Sequence, residues 1–353
     1  MGVIYCYSFN MHESLGSRNL NPDKLANADN RMSMAKNPKD KNEFEDYVGS
    51  ELRTPEELKI GKDTIGVTDT MPPETLSGQE LKQKTNPVFM APGWLGVPHD
   101  FRMLISSLAK EGQRTLSMDA LRGIDYKEIF PDIPPEFKDF PKAELRKAAA
   151  VIAILEAKGI DKIDVVTYSE GSMYMAMAAL LRPDKFTKNM VFVAPAGLLK
   201  FKKEGDLLPL HAIHNFTKHY LAHQKLMKAY DKINPPDPET SPEINNERIK
   251  HTISTRPGKF VAEAVAQAHY SIDTLMEKLT ELGFNISVVT TVEDTLYDSN
   301  RLAGDGGTIG QGSTIKKDMV KGVYSIRGGQ HGEITKNVTI AVREALKAQA
   351  KAA

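Results

Sequence analysis

The sequence contains few of the residues on which several protein classes depend. Its 353 residues include a single cysteine, Cys6, and a single tryptophan, Trp94. One cysteine excludes an intramolecular disulfide framework and any metal site that needs several cysteines. The 46 basic and 46 acidic side chains leave no formal net charge. Nucleic acid is therefore not expected as the main partner, because binding to phosphates requires a basic excess.

Long apolar segments are also absent from the sequence. No segment reaches the ~18 uninterrupted apolar residues that a membrane span requires. The apolar N-terminus, residues 1–9, lacks the basic region of a signal peptide. Cys6 stands where a myristoylation motif has Ser or Thr. We therefore expect a cytoplasmic protein with no membrane span.

Strand and helix patterns alternate along the chain from about residue 86. Short apolar runs bounded by Pro or Gly predict buried strands, and apolar residues at helical spacing predict the helices between them. The predicted strands cover residues 87–91, 114–118, 163–167, 190–194, 286–292 and 322–326, and the predicted helices include 101–108, 143–158, 171–181 and a C-terminal helix from about residue 333. Such alternation indicates βαβ units, which form a mostly parallel sheet with helices on both faces.

The segment IDVVTYSEGS, residues 163–172, places a serine between a predicted strand and a predicted helix. A serine nucleophile must be held on a tight turn above the sheet, so small residues are needed two positions before and two positions after it. Thr167 and Gly171 occupy these positions around Ser169. The same turn would direct the backbone N–H of Glu170 toward a developing oxyanion, at the N-terminus of the new helix.

With these residues the chain resembles the α/β-hydrolase superfamily of serine esterases and lipases, over about residues 86–350. The family pattern at this turn is Gly-x-Ser-x-Gly, from which Thr167 departs. The resemblance implies the α/β-hydrolase fold and a Ser-His-Asp triad in the chain order Ser169, Asp294, His331. Asp294 follows a predicted strand, and His331 follows another strand and a Gly-rich loop. Glu293 and Asp298 remain open alternatives for the triad acid.

The loop after the first core strand, Pro92-Gly93-Trp94, is similar to the loop that supplies the family's second oxyanion-hole donor. The match is to Gly93 only, because the family has a His-Gly dipeptide there. The resemblance implies that the backbone N–H of Trp94 is this donor, with Leu95 as an alternative, and that it acts together with the N–H of Glu170.

The predictions divide the chain into three parts. Residues 86–196 and 257–353 form the catalytic α/β-hydrolase domain. Residues 197–256 lie where the family carries a helical cap, inserted between two late strands, which would cover the nucleophile. Residues 1–85 form an N-terminal extension, which we expect to add strands to the sheet edge and to wrap the surface or contact a second subunit in a homo-oligomer.

The predicted function is that of a serine hydrolase that cleaves a small carboxylic ester with an apolar acyl group through an acyl-enzyme intermediate. An acyltransferase, a lactonase and a C–C bond hydrolase would use the same triad, and a hydrolase-fold protein that binds without turnover remains a further alternative. No cofactor or metal is expected. His219 and His223 in the cap have a spacing that zinc sites use, but no carboxylate or cysteine nearby in the sequence completes a site.

Overall fold

Ten strands in the described part of the chain form one twisted sheet in a computed structural model of the protein. The structure describes residues 4–8, 18–19, 55–72, 75–76, 79–80, 86–120, 123–197, 257–269, 272–291, 319–326 and 336–352. Every structural observation below refers to these residues. Among the helices in these ranges, none combines the length and the apolar composition that crossing a membrane requires.

The strands follow one another along the chain as twelve short segments, of which β5 and β6 form a separate hairpin. Their bounds are β1 Ile4–Ser8, β2 Arg18–Asn19, β3 Glu56–Ile60, β4 Asp63–Thr70, β5 Thr75–Leu76, β6 Gln79–Glu80, β7 Val88–Ala91, β8 Thr115–Met118, β9 Ile163–Tyr168, β10 Phe186–Val193, β11 Asn285–Thr291 and β12 Gly322–Ile326. In spatial order the main sheet is β2-β1-β12-β11-β10-β9-β7-β8-β4-β3.

The centre of the sheet is parallel and its two edges are antiparallel. Strands β8, β7, β9, β10, β11 and β12 are neighbours in that order and all run in the same direction. At one edge β4 pairs antiparallel with β8, and β3 pairs antiparallel with β4. At the other edge β1 pairs antiparallel with β12 and with β2. Parallel neighbours require crossover connections, which the intervening helices provide.

Helices cover both faces of the parallel centre. Their bounds are α1 Arg102–Ala109, α2 Lys142–Ala157, α3 Gly171–Leu181, α4 Pro257–His269, α5 Ile272–Glu281 and α6 Lys336–Ala352. Helices α2, α3 and α5 share one hydrophobic core with one face of the sheet. Helices α1 and α6 share a second core with the opposite face. Strand residues alternate between the two cores, as in Phe89 and Met90 of β7, because successive side chains point to opposite faces.

The prediction of a mostly parallel sheet between two helical layers is confirmed. The helix over residues 171–181 and the strand over residues 322–326 have the predicted bounds, and the other predicted elements differ from the observed ones by a few residues at their ends. Met173, Met175 and Met177 of α3 are completely buried in the core. Most of the proposed cap, residues 198–256, lies outside the described residues, and the cap stays a prediction.

The N-terminal quarter of the chain contributes strands to both edges of the sheet. Strands β3 and β4 extend it beyond β8, and β1 and β2 extend it beyond β12. Residues 4–8, 18–19, 56–60 and 63–70 are therefore joined by backbone hydrogen bonds to the same sheet that carries Ser169. A second subunit in contact with this part of the chain stays a prediction.

Candidate active site

Ser169 occupies a strained turn between β9 and α3. It is the first residue after β9, and its φ of 50° lies in the left-handed region that residues with a Cβ rarely adopt. The turn is held on both sides, because the Ser169 N–H donates to Val193 O at 2.9 Å and Ser169 O accepts from the N–H of Ala196 at 3.0 Å. Backbone strain of this kind persists only where the surroundings enforce it, and it concentrates at functional sites.

Two glycines allow the serine turn to approach the loop that follows β7. A Cβ added to Gly171 would lie 2.2 Å from Ala91 O, which is an impossible contact with backbone. A Cβ added to Gly93 would lie 2.9 Å from the Cβ of Ser169 and 3.2 Å from Tyr168 O. The Gly93 backbone therefore lies directly against Ser169. Trp94 follows Gly93 and Glu170 follows Ser169, so this close approach also brings Trp94 and Glu170 near each other.

Thr167 is accommodated in place of the family's glycine by a local hydroxyl pair. Its Oγ1 lies 2.7 Å from the Oγ of Ser172 in the first turn of α3, and both residues are fully buried. Each hydroxyl can satisfy the other, so the extra polar group of threonine is buried without the cost of an unpaired hydroxyl. The departure from the Gly-x-Ser-x-Gly pattern thus leaves the turn intact.

The loop after β7 is a tight turn fixed by backbone and side-chain hydrogen bonds. The N–H of Gly96 donates to Gly93 O at 2.9 Å, and Leu95, inside the turn, has a φ of 60°. The hydroxyl of Tyr174, from α3, donates to Pro92 O at 2.8 Å. Helix α3 therefore holds this loop through a buried phenol as well as through the close contact at Gly171.

A buried lysine lies behind the serine turn and binds the side chain of Glu170. The Nζ of Lys147, on α2, is 2.7 Å from both carboxylate oxygens of Glu170. The same Nζ is 3.1 Å from Oε1 of Glu263, on α4. All three side chains are at most 1% exposed. The side chain of the proposed oxyanion-hole residue Glu170 is therefore fixed away from solvent by a charge-assisted contact.

The same group of buried side chains also contacts Trp94, through the second carboxylate oxygen of Glu263. The indole Nε1–H of Trp94 donates to Glu263 Oε2 at 3.0 Å, across 169 residues of sequence. The Trp94 ring also packs on Phe260 of α4, with ring centroids 4.6 Å apart. Helix α4 thus holds the loop after β7 by one hydrogen bond and one aromatic contact.

A third acidic side chain, Glu144, is buried beside these residues. Burial, followed by repulsion from the Glu170 carboxylate, raises the pKa of Glu144 well above its ordinary range. Burial alone would lower the pKa of Lys147, but attraction to Glu170, Glu263 and Glu144 outweighs it and raises that pKa. Lys259 lies 3.7 Å from Glu263 Oε1. Lys147 and Lys259 thus both lie within ion-pair distance of the acidic side chains of this group.

The structure brings together some of the predicted site residues, and others lie outside it. Ser169, Glu170 and Trp94 meet at the carboxyl end of the parallel strands, as described above. Asp294 and His331, together with the alternative acids Glu293 and Asp298, lie outside the described residues. The cap histidines His219 and His223 also lie outside them.

Comparisons with known proteins agree with this architecture. A sequence model of the α/β-hydrolase fold family matches residues 86–222. No curated protein sequence is similar enough to the chain to count as a relative. A carboxylesterase structure from the thaumarchaeon Nitrososphaera gargenis is similar with a TM-score of 0.52 and 15% identity, over 84% of this chain and 100% of that one.

The chain has the α/β-hydrolase fold. Two further solved structures share the fold. An epoxide hydrolase from Vigna radiata has a TM-score of 0.51 and 13% identity, over 84% of this chain and 99% of that one. The meta-cleavage product hydrolase of Pseudomonas fluorescens has a TM-score of 0.51 and 16% identity, again over 84% and 99%. Residues 86–353 alone cannot supply 84% of the chain, so the similarity in these structures extends beyond the predicted catalytic segments.

Sequence reasoning missed the buried cluster of this hydrolase fold. It used Glu170 only for its backbone, and it did not consider Glu144, Lys147 or Glu263. A signal was present in α2, because Glu144 and Lys147 fall on the same helical stripe as the apolar Val151. Charged residues on a stripe that faces the core need a buried partner. The identity of that partner was not visible in the sequence.

Proposed function

We propose that this protein is a serine hydrolase that cleaves carboxylic esters, with Ser169 as nucleophile, His331 as general base and acid, and Asp294 as the triad acid. The observation that carries the proposal is the geometry at Ser169. Its strained turn at the carboxyl end of β9, with Gly93 backbone against it, is what a nucleophile at the start of a helix requires.

The order of the strands supports the two remaining triad assignments. β9, β10, β11 and β12 are adjacent and parallel, so their carboxyl ends lie at the same edge of the sheet. Thr291, the last residue of β11, pairs with Ile326, the last residue of β12. Asp294 follows Thr291 by three residues, and His331 follows Ile326 by five. Loops of this length suffice to bring both side chains toward Ser169 across strands spaced ~4.8 Å apart.

The chemistry follows from these roles. His331 accepts the Ser169 hydroxyl proton as Oγ attacks the ester carbonyl, and the resulting oxyanion accepts hydrogen bonds from the backbone N–H groups of Glu170 and Trp94. The intermediate collapses to an acyl-enzyme as His331 returns the proton to the leaving alcohol. His331 then accepts a proton from water as the water oxygen attacks the acyl carbon, and it gives this proton to Ser169 Oγ as the acyl C–O bond breaks and the acid is released. Asp294 holds the imidazole in the required tautomer and stabilises its charged form.

The substrate class is a small ester with an apolar acyl group. Among the similar structures, the one from Nitrososphaera gargenis is described as a carboxylesterase. Cleavage of an ester through an acyl-enzyme needs a nucleophile, which Ser169 would provide in this chain. The proposed cap, residues 197–256, would supply the apolar wall of the substrate pocket and exclude water.

A fluorophosphonate probe and a series of p-nitrophenyl esters of increasing chain length test this function. The probe should label the wild-type protein on Ser169, and Ser169→Ala should abolish labelling and reduce ester turnover by about 10⁴-fold or more. Asp294→Asn should reduce turnover by a similar factor, with Glu293→Gln and Asp298→Asn as matched controls that retain it. An unlabelled, inactive wild-type protein would contradict the hydrolase. Loss in a control variant instead of Asp294→Asn would move the acid role to that residue.

A further inference from the structure

The proposed mechanism leaves one group of buried charges without a role. It consists of Glu144 and Lys147 on α2, Glu170 after the nucleophile, and Glu263 on α4, which we call the Lys147 cluster. Burying an ion pair costs several kcal/mol of desolvation per ion, and apolar residues of similar size often stabilise a fold equally well. Fold stability alone therefore gives little reason to place these charges behind Ser169.

The position of the cluster distinguishes it from an ordinary structural ion pair. Lys147 contacts the side chain of Glu170, whose own backbone N–H is one proposed oxyanion-hole donor. Through Glu263 the lysine is linked to the indole of Trp94, whose backbone N–H is the other proposed donor. The cluster thus includes one residue of the serine turn, Glu170, and is hydrogen-bonded to one residue of the loop after β7, Trp94.

The contacts leave little freedom to either donor residue. Glu170 is fully buried and is held through both carboxylate oxygens. Trp94 is held by its indole hydrogen bond and by the Phe260 ring. An oxyanion hole acts only if its donors lie ~2.7–3.1 Å from the developing charge, so fixing both residues from one point controls the distance between the donors.

We propose that Lys147 and Glu263 are positioning residues that set the geometry of the oxyanion hole, by linking the side chains of its two donor residues, Glu170 and Trp94, through one buried ion pair. The inference rests on the proposed function. Neither Lys147 nor Glu263 would touch the substrate. Their effect would pass through the backbone of the residues they hold.

The most selective test removes one hydrogen bond and retains the ring. Trp94→Phe keeps the backbone N–H and the aromatic contact with Phe260 but loses the donor to Glu263. Because a displacement of ~1 Å at a catalytic group costs about 10²-fold in rate, we expect kcat per labelled active site to fall by about 10- to 100-fold. KM should change by less than about threefold, because the ground-state carbonyl depends little on the hole.

A trifluoromethyl ketone with the acyl chain of the best ester gives the specific readout. This inhibitor adds to a serine nucleophile and forms an oxyanion, so its affinity depends on the donors. In Trp94→Phe its affinity should fall by the same factor as kcat/KM. Glu263→Gln keeps an acceptor for the indole and should lose less than Glu263→Leu in both measurements. A residue with a merely structural role would not produce this graded, parallel loss.

Gln349→Met is the matched control. Gln349 is 3% exposed and donates hydrogen bonds from α6 to Met190 O and to Asn285 O, near the amino end of β11. The Gln349→Met substitution should lower the unfolding temperature, while kcat per active site and inhibitor affinity stay at the wild-type values. Because Trp94 is the only tryptophan, its fluorescence also reports directly whether Glu263→Gln changes the surroundings of the indole.

The outcomes separate this inference from the function on which it rests. An active, labelled wild-type protein with unchanged kcat and inhibitor affinity in Trp94→Phe and Glu263→Leu would overturn the positioning role and leave the hydrolase in place. A parallel loss in Gln349→Met would also overturn it, because the effect would then follow stability. A wild-type protein that neither reacts with the probe nor turns over esters would overturn both proposals.

Discussion

Two buried polar groups of the molecule, one at each end of the sheet, are built in different ways. Near the amino end of β11, the Gln349 amide donates to Met190 O at 2.9 Å, Asn285 O at 2.8 Å and Ser287 Oγ at 3.2 Å. At the carboxyl end, the Lys147 cluster places charges in an environment that excludes water just as well. A neutral amide can join α6 to the sheet at a modest cost, so the charges at the other end are not required for joining helices to strands.

The difference follows from what each group binds. Gln349 reaches backbone carbonyls of strands that are already fixed by their ladder. The Lys147 cluster reaches side chains of a strained turn and a tight loop, neither of which belongs to a strand. Charge-assisted contacts are about twice as strong as neutral ones, which suits segments with no regular hydrogen bonding of their own. The buried charges are thus concentrated where the backbone is least supported by secondary structure.

The largest expected effect comes from removing the central polar group at each end of the sheet. Lys147→Met leaves the buried carboxylate of Glu170 without its lysine and should lower the free energy of unfolding by about 3–5 kcal/mol. Gln349→Met leaves neutral acceptors unpaired and should cost about 1–3 kcal/mol. Urea unfolding of the wild type and both variants, with midpoints and m-values compared, measures these two losses in the free energy of unfolding. Equal losses would show that the charged and the neutral groups are equivalent supports.

A second, pH-dependent effect should appear only at the charged end. The folded state raises the pKa of Glu144 well above its ordinary 4.5, so this group's contribution to stability is fully present below about pH 4.5 and is lost as pH rises toward the folded-state pKa. Glu144→Gln cannot titrate. The variant should gain stability over the wild type by up to about 1.4 kcal/mol per pH unit in that window, and almost nothing at pH 4.

Thermal unfolding between pH 4 and pH 9 measures this difference. Glu156→Gln is the control, because Glu156 lies on the same helix but is exposed and pairs with Arg182 at the surface. Exposed pairs of this kind are worth about 0–1 kcal/mol, so its effect should be small at every pH. If the stability difference between Glu144→Gln and the wild type did not change with pH, Glu144 would be ionised in the folded protein and the prediction would be wrong.

The smallest expected effect separates backbone strain from charge at the carboxyl end. Ser169→Gly removes the Cβ that is strained at a φ of 50°, whereas Ser169→Ala keeps it. The glycine variant should be more stable than the alanine variant by about 1 kcal/mol, and both should be inactive. At Ser172, inside α3, the order should reverse by about the same amount, since glycine is unfavourable in a helix. A reversed order at Ser169 would mean that the turn is unstrained.

Much of the fold could be predicted from the sequence because its determinants are local. Periodicity alone located the strands and helices around the serine turn, and α3 has the predicted bounds from Gly171 to Leu181. The family resemblance implied Asp294 and His331 after two late strands, and the observed register of β11 and β12 puts the carboxyl ends of those two strands at the same edge of the sheet. The strand and helix predictions use only neighbouring residues, whereas the triad stays a prediction that rests on the resemblance.

Other features depend on contacts between distant segments and were decided by the tertiary structure. The N-terminal strands reach opposite edges of the sheet, because β1 and β4 pair with partners far along the chain. Trp94 and Glu263 are 169 residues apart, and no pattern near either one names the other. The sequence by itself determined that a serine stands on a turn between a buried strand and a helix. Only the packing of α2 and α4 behind that turn decided that Lys147 binds Glu170, the residue after the serine. The reason is that the partner of a buried charge is determined by proximity in space.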